Sequence, residues 1–240
     1  MQPITSSTSI EQTRQHIHIA FSIPHRITSS AVLNGGIIHA DHLVNLNVPK
    51  HNQCTEPPEE TLAQYCIASG WKGTAVGMMT AASMDSFRMA KETVQDIDVV
   101  VMVTAGLSNA RRIGDHAEHR FMVASPESPG TINIVVLTSA ALTEAAGIEA
   151  VLMVTEAKSA ALQNAGIKSA VSDGIATGTG TDSVAIVSGH GPETVRYCGK
   201  HVLFGEILGR MVTDTVAASI EWEFSDANSE PTSDEHHLRK

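Results

Sequence analysis

Three short runs of β-branched and aliphatic residues constrain the fold of this chain more than any other feature. They cover Ile97 to Thr104, Ile132 to Leu137 and Val184 to Val187. Apolar runs of this length are typical of strands that are buried on both faces. We therefore expect a β-sheet that is flanked by helices.

Helix signals accompany these runs. The residues 57–60 (Pro-Pro-Glu-Glu) predict the start of a helix that Gly70 closes, because proline suits the first helical turn and acidic residues suit its positive end. Good helix formers or an amphipathic pattern predict three more helices. These cover about 83–95, with Ser83 as the cap, about 139–164, with a bend or break at Gly147, and about 194–222.

The N-terminal third has a different pattern. Gln15 to Phe21 alternates polar and apolar residues, the period of a half-buried strand. Ala31 to Leu46 predicts short strands that break at the turn Asn34-Gly35-Gly36. Strands mixed with helices favour a layered α/β (α+β) single domain with a mixed β-sheet. We assign residues 1–15 to a flexible N-terminus, 16–223 to the domain and 224–240 to a disordered acidic tail.

Composition excludes several classes of protein. The chain has 240 residues, 42% of them hydrophobic, which suits one domain with a sizeable core. Its formal charge of −10 argues against nucleic acid or an anionic membrane surface as a partner. Three cysteines without a C-x-x-C spacing indicate reduced thiols. With no signal-like apolar segment and no run of about 20 apolar residues, a cytoplasmic location is expected.

A glycine-rich loop is the first candidate for a functional site. Thr177, Gly178, Thr179, Gly180, Thr181 and Asp182 precede the run at Val184. The two glycines allow consecutive N–H groups to converge on an anion, such as the oxyanion of an amide under attack. Asp182 is a candidate base or orienting group. The alternative is a tight β-connection with a capped turn.

Ionisable and polar side chains elsewhere supply further candidates. His201 suits a general base, because imidazole is the side chain most often used to transfer protons in catalysis, with Glu206 five residues on as its partner after a bend. Lys200 suits a substrate or product carboxylate. Asn109 suits amide groups of a substrate, and Ser30 suits a substrate contact. For each, a solvated or capping role is the competing interpretation, and an apolar face at 212–220 suits either the core or a homo-oligomer contact.

Metal binding is the less favoured interpretation of the histidines. His16 and His18 lie on one face of a predicted strand, and two more groups contain histidines, the second of them with carboxylates. These groups are His25, His39 and His42, and Asp115, His116, Glu118 and His119. Neither H-E-x-x-H nor C-x-x-C is present, so we assign no metal ligands.

The glycine-rich block also carries a family resemblance. T-G-T-G-T-D at 177–182, S-G-x-G-P at 188–192 and Y-x-G-K-H-x-x-x-G-E at 197–206 are similar to the adenosylcobinamide amidohydrolase (CbiZ) family. Residues 29–36, 104–109 and Gly114-Asp115 agree with the same family, so that the resemblance spans roughly residues 17 to 220.

The resemblance implies an enzyme that hydrolyses a linear amide in corrinoid salvage. The substrate would be adenosylcobinamide, and the products adenosylcobyric acid and aminopropanol. No cofactor is required, because the cobalt belongs to the substrate, and a divalent metal ion is the less favoured alternative. A corrinoid-binding or carrier protein without catalysis is the rival from another class, and a hydrolase of an unrelated amide is the third possibility.

Overall fold

The β-branched runs form the centre of a mixed sheet. The computed structural model describes residues 1–49, 56–117 and 131–227, with side chains to residue 223. Within these ranges nine strands make up the sheet. They are β1 (Gln2–Thr5), β2 (Thr8–Gln12), β3 (His16–Ser29), β4 (Gly36–Asn47), β5 (Ala75–Thr80), β6 (Arg88–Val94), β7 (Ile97–Ala105), β9 (Ile132–Thr138) and β12 (Ser183–Ser188). Two short pairs lie outside it, β8 (Ala110–Arg111) with β11 (Gly178–Thr179), and β10 (Ala141–Leu142) with β13 (Thr194–Val195).

Strand β9 occupies the middle of this arrangement. It is antiparallel to β7 on one side and parallel to β12 on the other. Every residue of β9 and β12 is buried. Neither face of these strands meets water, which is why their sequences are apolar without alternation. The prediction of buried strands is confirmed at all three runs.

Alternate side chains of β7 enter two different cores. Val99, Val101 and Val103 pack with residues of the helices α2 (Glu144–Asn164) and α3 (Leu203–Ala227). Val100 and Met102 point to the other face and pack with residues of β3, β4 and β5. One strand therefore contributes to the contact between the sheet and the helices and also to the contact between two parts of the sheet.

The long strand β3 lets the sheet fold over itself. Its pairing with β4 shifts register between Ala20 and His25. Before this irregularity β3 also pairs with β2, and after it with β12. Helix α1 (Pro58–Ala68) covers β4 and β5 through Leu62 and Cys66. The result is a layered α/β domain, helix on sheet on sheet on helices, which confirms the predicted fold class.

Helix boundaries follow local capping rules. Proline occupies the first turn of α1 as predicted, with Glu59 and Glu60 beside it. Helix α2 begins later than expected, because the Thr143 hydroxyl accepts a hydrogen bond from the Ala146 amide at 3.1 Å and caps it there. Gly147 lies inside α2 and does not break it. The apolar face at 212–220 belongs to the core, where Val212, Val216 and Ile220 are buried.

Two predicted helices were wrong in part. Residues 84–86 form one 3₁₀ turn, and the remainder of the predicted helix 83–95 is strand β6. Gln95 and Asp96 both have positive φ, at 50° and 62°, which makes the tight turn from β6 into β7. In the predicted helix 194–222, residues 194–202 are a short strand and turns, and helical structure starts at Leu203.

Both ends of the chain contain regular structure in segments that were predicted to be flexible or disordered. Residues 2–12, assigned to a flexible segment, form the hairpin β1–β2, and β2 pairs with β3. Helix α3 continues to Ala227, into the segment predicted as a disordered tail. Residues 228–240 lie outside the described ranges, so their assignment to a tail stays a prediction.

Gly189, which follows β12, has no room for a side chain. A Cβ there would collide with the carbonyl oxygens of Thr138 and Ser139. We expect Gly189→Ala to lower the free energy of unfolding by about 1–3 kcal/mol through overpacking, measured by urea denaturation. The control is Gly209→Ala in α3, where a Cβ would lie 3.7 Å from Met153 Cε, an ordinary contact. That change should raise stability by roughly 0.5–1 kcal/mol; equal effects would contradict the steric argument.

Candidate active site

The predicted glycine-rich loop lies beside the predicted Asn109 segment. Strand β11 pairs with β8, so that Gly178 is opposite Arg111 and Thr179 is opposite Ala110. A Cβ on Gly180 would lie 3.3 Å from the Asn109 side-chain nitrogen. Residues that are about 70 positions apart in the sequence therefore meet at one end of the sheet.

Asp182 anchors this loop. Its carboxylate accepts hydrogen bonds from the backbone amides of Thr179 and Ile132, both at 3.0 Å, and forms an ion pair with Lys158. The Lys158 and Asp182 side chains are only 8% and 10% exposed. A Cβ on Gly178 would collide with the Asp182 carboxylate and approach Lys158 Nζ to 2.9 Å, so a side chain there would displace the ion pair. With its oxygens engaged in this way, Asp182 is suited to fixing geometry and not to accepting a proton.

The loop amides are partly engaged as well. The Thr177 amide donates to the Arg111 carbonyl at 2.8 Å, and the Thr179 amide donates to Asp182. The Thr177 hydroxyl accepts from the Ile113 amide at 2.8 Å. These donors hold the loop to its neighbours, which is the behaviour of a capped β-connection. The predicted convergence of loop amides on an anion does not extend to Thr177 and Thr179.

Thr131 belongs to this site and was not singled out from the sequence. Its hydroxyl lies 2.7 Å from the hydroxyl of Thr181, and the residue is only 5% exposed. Its neighbour Ile132 donates its amide to Asp182. The signal in the sequence is a hydroxyl residue directly before a buried strand. We call Thr131, Lys158, Thr179, Thr181 and Asp182 the Asp182 cluster.

Ser30 reaches the same end of the sheet from β3. Its hydroxyl accepts a hydrogen bond from the Val184 amide at 3.1 Å and lies 3.5 Å from the hydroxyl of Ser183. Ser30 itself is exposed, whereas Ser183 is buried. The structure thus brings together Ser30, Asn109 and residues 177–182, as expected of one site.

The predicted base and its partners lie elsewhere. Lys200 forms an ion pair with Glu156 of α2, and both side chains are more than half exposed. His201 and Glu206 are also exposed. Glu156 and Lys158 are two positions apart on α2 and do not share a face. The pair Lys200–Glu156 is therefore on a different side of α2 from the Asp182 cluster.

A groove separates α2 from α3 at this second location. It has a volume of about 290 Å³. Lys200 and Glu206 line it, together with Met153, Glu156, Ala157, Ala160, Gly205, Gly209 and Thr213. Gly205 lies inside α3 and does not bend Glu206 back toward His201. The triad of His201, Asp182 and Glu206 is accordingly not assembled in this structure.

Cys198 does not serve as a nucleophile here. Its thiol is completely buried, and burial together with the charge of Glu149 raises the pKa of Cys198 to about 12. The thiolate is the reactive form of cysteine, and it is scarce at such a pKa.

The histidines on β3 and β4 form an aromatic cluster under α1. The His18 ring stacks on Trp71 with centroids 3.7 Å apart, and His18 Nε2 lies 3.0 Å from His42 Nδ1. His16 Nδ1 lies 2.8 Å from the Tyr65 hydroxyl. Burial, reinforced by His42 and His16, lowers the pKa of His18 to about 4. Across the described ranges no three histidine, cysteine or acidic side chains form a set able to hold a metal ion, and Glu118 and His119 lie outside those ranges.

A matched pair of lysine substitutions compares the contributions of the buried and the exposed ion pair to the free energy of unfolding. Lys158→Met leaves Asp182 charged, buried and without its cation, so we expect the free energy of unfolding to fall by about 3–5 kcal/mol. Lys200→Met removes a solvated pair and should change it by less than about 1 kcal/mol. Denaturant titration measures both. Similar losses in the two variants would contradict the role given to Lys158.

The lowered pKa of His18 makes stability depend on pH. The unfolded chain binds a proton at His18 below about pH 6.5, whereas the native state does so only below about pH 4. The free energy of unfolding should therefore fall as the pH is lowered from about 6.5 to about 4. His18→Gln should flatten this slope in urea titrations, and the exposed His39→Gln should retain it. An unchanged slope in His18→Gln would refute the assignment.

Comparison with known proteins identifies the family. A family model described as adenosylcobinamide amidohydrolase, CbiZ, matches residues 1–226. The chain belongs to this family. Membership in CbiZ places it among amide-cleaving hydrolases, as the sequence motifs predicted. In the described ranges, none of the helices combines the length and apolar character that crossing a bilayer requires.

Individual relatives cover different shares of the chain. An uncharacterized protein of Methanocaldococcus jannaschii is 36% identical over 157 residues, which are 60% of this chain and 61% of that protein. The adenosylcobinamide amidohydrolase of Methanosarcina mazei is 27% identical over 201 residues, 80% of this chain and 88% of that protein. A Burkholderia sp. beta-aminopeptidase structure is 13% identical, with a TM-score of 0.43 over 89% of this chain and 78% of that one.

Proposed function

We propose that this protein hydrolyses the amide that joins aminopropanol to the corrin ring of adenosylcobinamide. The products are adenosylcobyric acid and aminopropanol. Membership in the CbiZ family supports the reaction class, and the similarity to the adenosylcobinamide amidohydrolase of M. mazei supports the substrate. The observation that carries the proposal is that, in a chain of this family, the hydroxyls of Thr131 and Thr181 meet beside a fixed ion pair.

We assign the Thr131 hydroxyl as the nucleophile. Its oxygen attacks the amide carbonyl carbon, the C–N bond breaks, and the hydroxyl proton leaves on aminopropanol. Water then hydrolyses the resulting ester and restores the hydroxyl. Thr181 holds the Thr131 side chain at 2.7 Å, and Asp182 holds the next amide along β9. The ion pair with Lys158 is a positioning device in this scheme.

The exposed rim of the site would contact the corrin periphery. Ser30 and Gly180 are exposed there, whereas Asn109, beside Gly180, is only 6% exposed. Hydroxyl and amide groups suit the acetamide side chains that surround a corrin ring. Thr177, Thr179 and Gly180 shape this rim, and Gly178 is buried beside it. Lys200, His201 and Glu206, across α2, have no part in the proposed chemistry.

The scheme requires no resident cofactor. The cobalt ion is carried by the substrate, and each proton transfer is assigned to a hydroxyl, the leaving amine or water. We propose accordingly that turnover persists after treatment with a chelator. Loss of activity on chelation, restored by a divalent metal ion, would replace the Thr131 nucleophile with metal-activated water.

Turnover of adenosylcobinamide tests the function and the site together. Wild-type protein should release aminopropanol and adenosylcobyric acid, both quantified by mass spectrometry. Thr131→Ala should lose turnover while retaining corrinoid affinity. Asp182→Asn should lose roughly 10²-fold, because misplacement of reacting groups by about 1 Å has that effect.

Two controls make this experiment decisive. His201→Ala should turn over at nearly the wild-type rate, and a full loss there would return catalysis to the groove between α2 and α3. Tight corrinoid binding by the wild type without release of aminopropanol would identify a carrier. The third possibility is a hydrolase of an unrelated amide. If the protein cleaves such an amide and cobinamide does not compete with it, that possibility is supported.

A further inference from the structure

A serine–histidine pair lies at the opposite end of β12 from the Asp182 cluster. Ser7 follows β1 in the N-terminal hairpin, and its hydroxyl lies 3.2 Å from Nε2 of His25 on β3. The His25 ring also meets the ring of His190, with centroids 4.5 Å apart. His190 belongs to the glycine turn that follows β12, whereas Asp182 directly precedes that strand. The proposed amidohydrolase site uses none of these three residues.

Hydrogen bonding fixes the tautomer of His25. Nδ1 lies 2.8 Å from the carbonyl oxygen of Ile23. A carbonyl oxygen only accepts, so Nδ1 must carry a proton. In the neutral ring the lone pair is then on Nε2 and faces the Ser7 hydroxyl. The serine donates, and the imidazole accepts, which is the orientation a general base requires.

The surroundings of His25 keep the ring neutral and in place. The residue is only 2% exposed, and its ring stacks on Phe21 with centroids 4.6 Å apart. Burial lowers the pKa of His25; the hydrogen bond to the Ile23 carbonyl opposes this, and the neighbouring His190 adds to it. A neutral imidazole at neutral pH is the form that removes a proton from a hydroxyl.

Ser7 is held in a fixed position but remains partly accessible. Its amide donates to the Thr5 hydroxyl at 3.3 Å, and its carbonyl accepts from the Ser22 amide at 2.9 Å. The side chain is half-buried. Next to His25 the chain exposes an apolar surface, since Ile23 is 48% exposed and Pro24 is exposed beside it. An acyl group with an apolar chain suits such a surface.

We propose that Ser7 and His25 form a catalytic dyad that hydrolyses small esters with an apolar acyl group. His25 Nε2 takes the Ser7 proton as the serine oxygen bonds to the ester carbonyl carbon. The C–O bond to the leaving alcohol breaks, and that alcohol takes the proton from His25. Water, deprotonated by His25, then attacks the acyl-serine and releases the acid, returning the proton to Ser7. This activity is independent of the proposed amidohydrolase function.

Covalent labelling and ester turnover on the full chain test the dyad. A fluorophosphonate probe should label Ser7, identified by peptide mass spectrometry. Ser7→Ala should lose this label and roughly 10²-fold or more of the hydrolysis of p-nitrophenyl butyrate, the usual contribution of a positioned base. Ser9→Ala is the matched control, because Ser9 is in the same hairpin and donates only weakly, to the Met1 sulfur at 3.7 Å. It should keep both label and rate.

The base is tested by His25→Gln, which retains a polar side chain but takes no proton. We expect the label and the ester rate to fall together as in Ser7→Ala. If this buried substitution prevents folding, as judged by circular dichroism, the wild-type label and Ser7→Ala still decide the question. The absence of label on Ser7, or a Ser7→Ala ester rate equal to that of the wild type, would overturn the dyad without affecting cobinamide turnover.

Discussion

The buried ion pair between Lys158 and Asp182 joins helix α2 to the glycine-rich loop at the candidate site. Removing both charges from water costs several kcal/mol per ion, and this is offset only when the remaining hydrogen-bonding capacity is satisfied. Here the carboxylate also accepts two backbone amides, from the glycine-rich loop and from the start of β9. The pair therefore fixes α2, β9 and the loop relative to one another. The position of the Thr131 hydroxyl follows from that arrangement.

Strand β12 separates two places that differ in chemistry. At about 3.3 Å per residue, its residues Ser183–Ser188 span on the order of 20 Å. The Asp182 cluster lies at the start of β12, and the imidazoles of His25 and His190 lie at its other end. The glycine-containing segments at 177–182 and 188–192 therefore lie at opposite ends of β12 and do not shape one pocket. His25 lies beside the turn that follows β12, where its ring meets that of His190.

Local sequence patterns predicted the elements well where burial alone decided them. The continuous apolar runs became β7, β9 and β12, and proline with two acidic residues opened α1. Strand β6 was mistaken for a helix because its Met, Ala, Lys and Glu residues are good helix formers. Its burial alternates residue by residue, and pairing with β7 through a tight turn at Gln95 and Asp96 outweighed that propensity. Pairing with β3 likewise ordered the polar hairpin at residues 2–12.

The sequence by itself determined the family and the layered α/β class, whereas the close packing at Gly178 comes from its tertiary contact with Asp182 and Lys158. Tertiary structure alone decided which polar groups meet. Lys158 reaches Asp182 across 24 positions and Ser7 reaches His25 across 18. Thr131 reaches Thr181 across 50. Such contacts depend on strand register, on the irregularity in β3 and on which face of α2 packs inward. These are set by the whole packed core, whereas local patterns report only on neighbours along the chain.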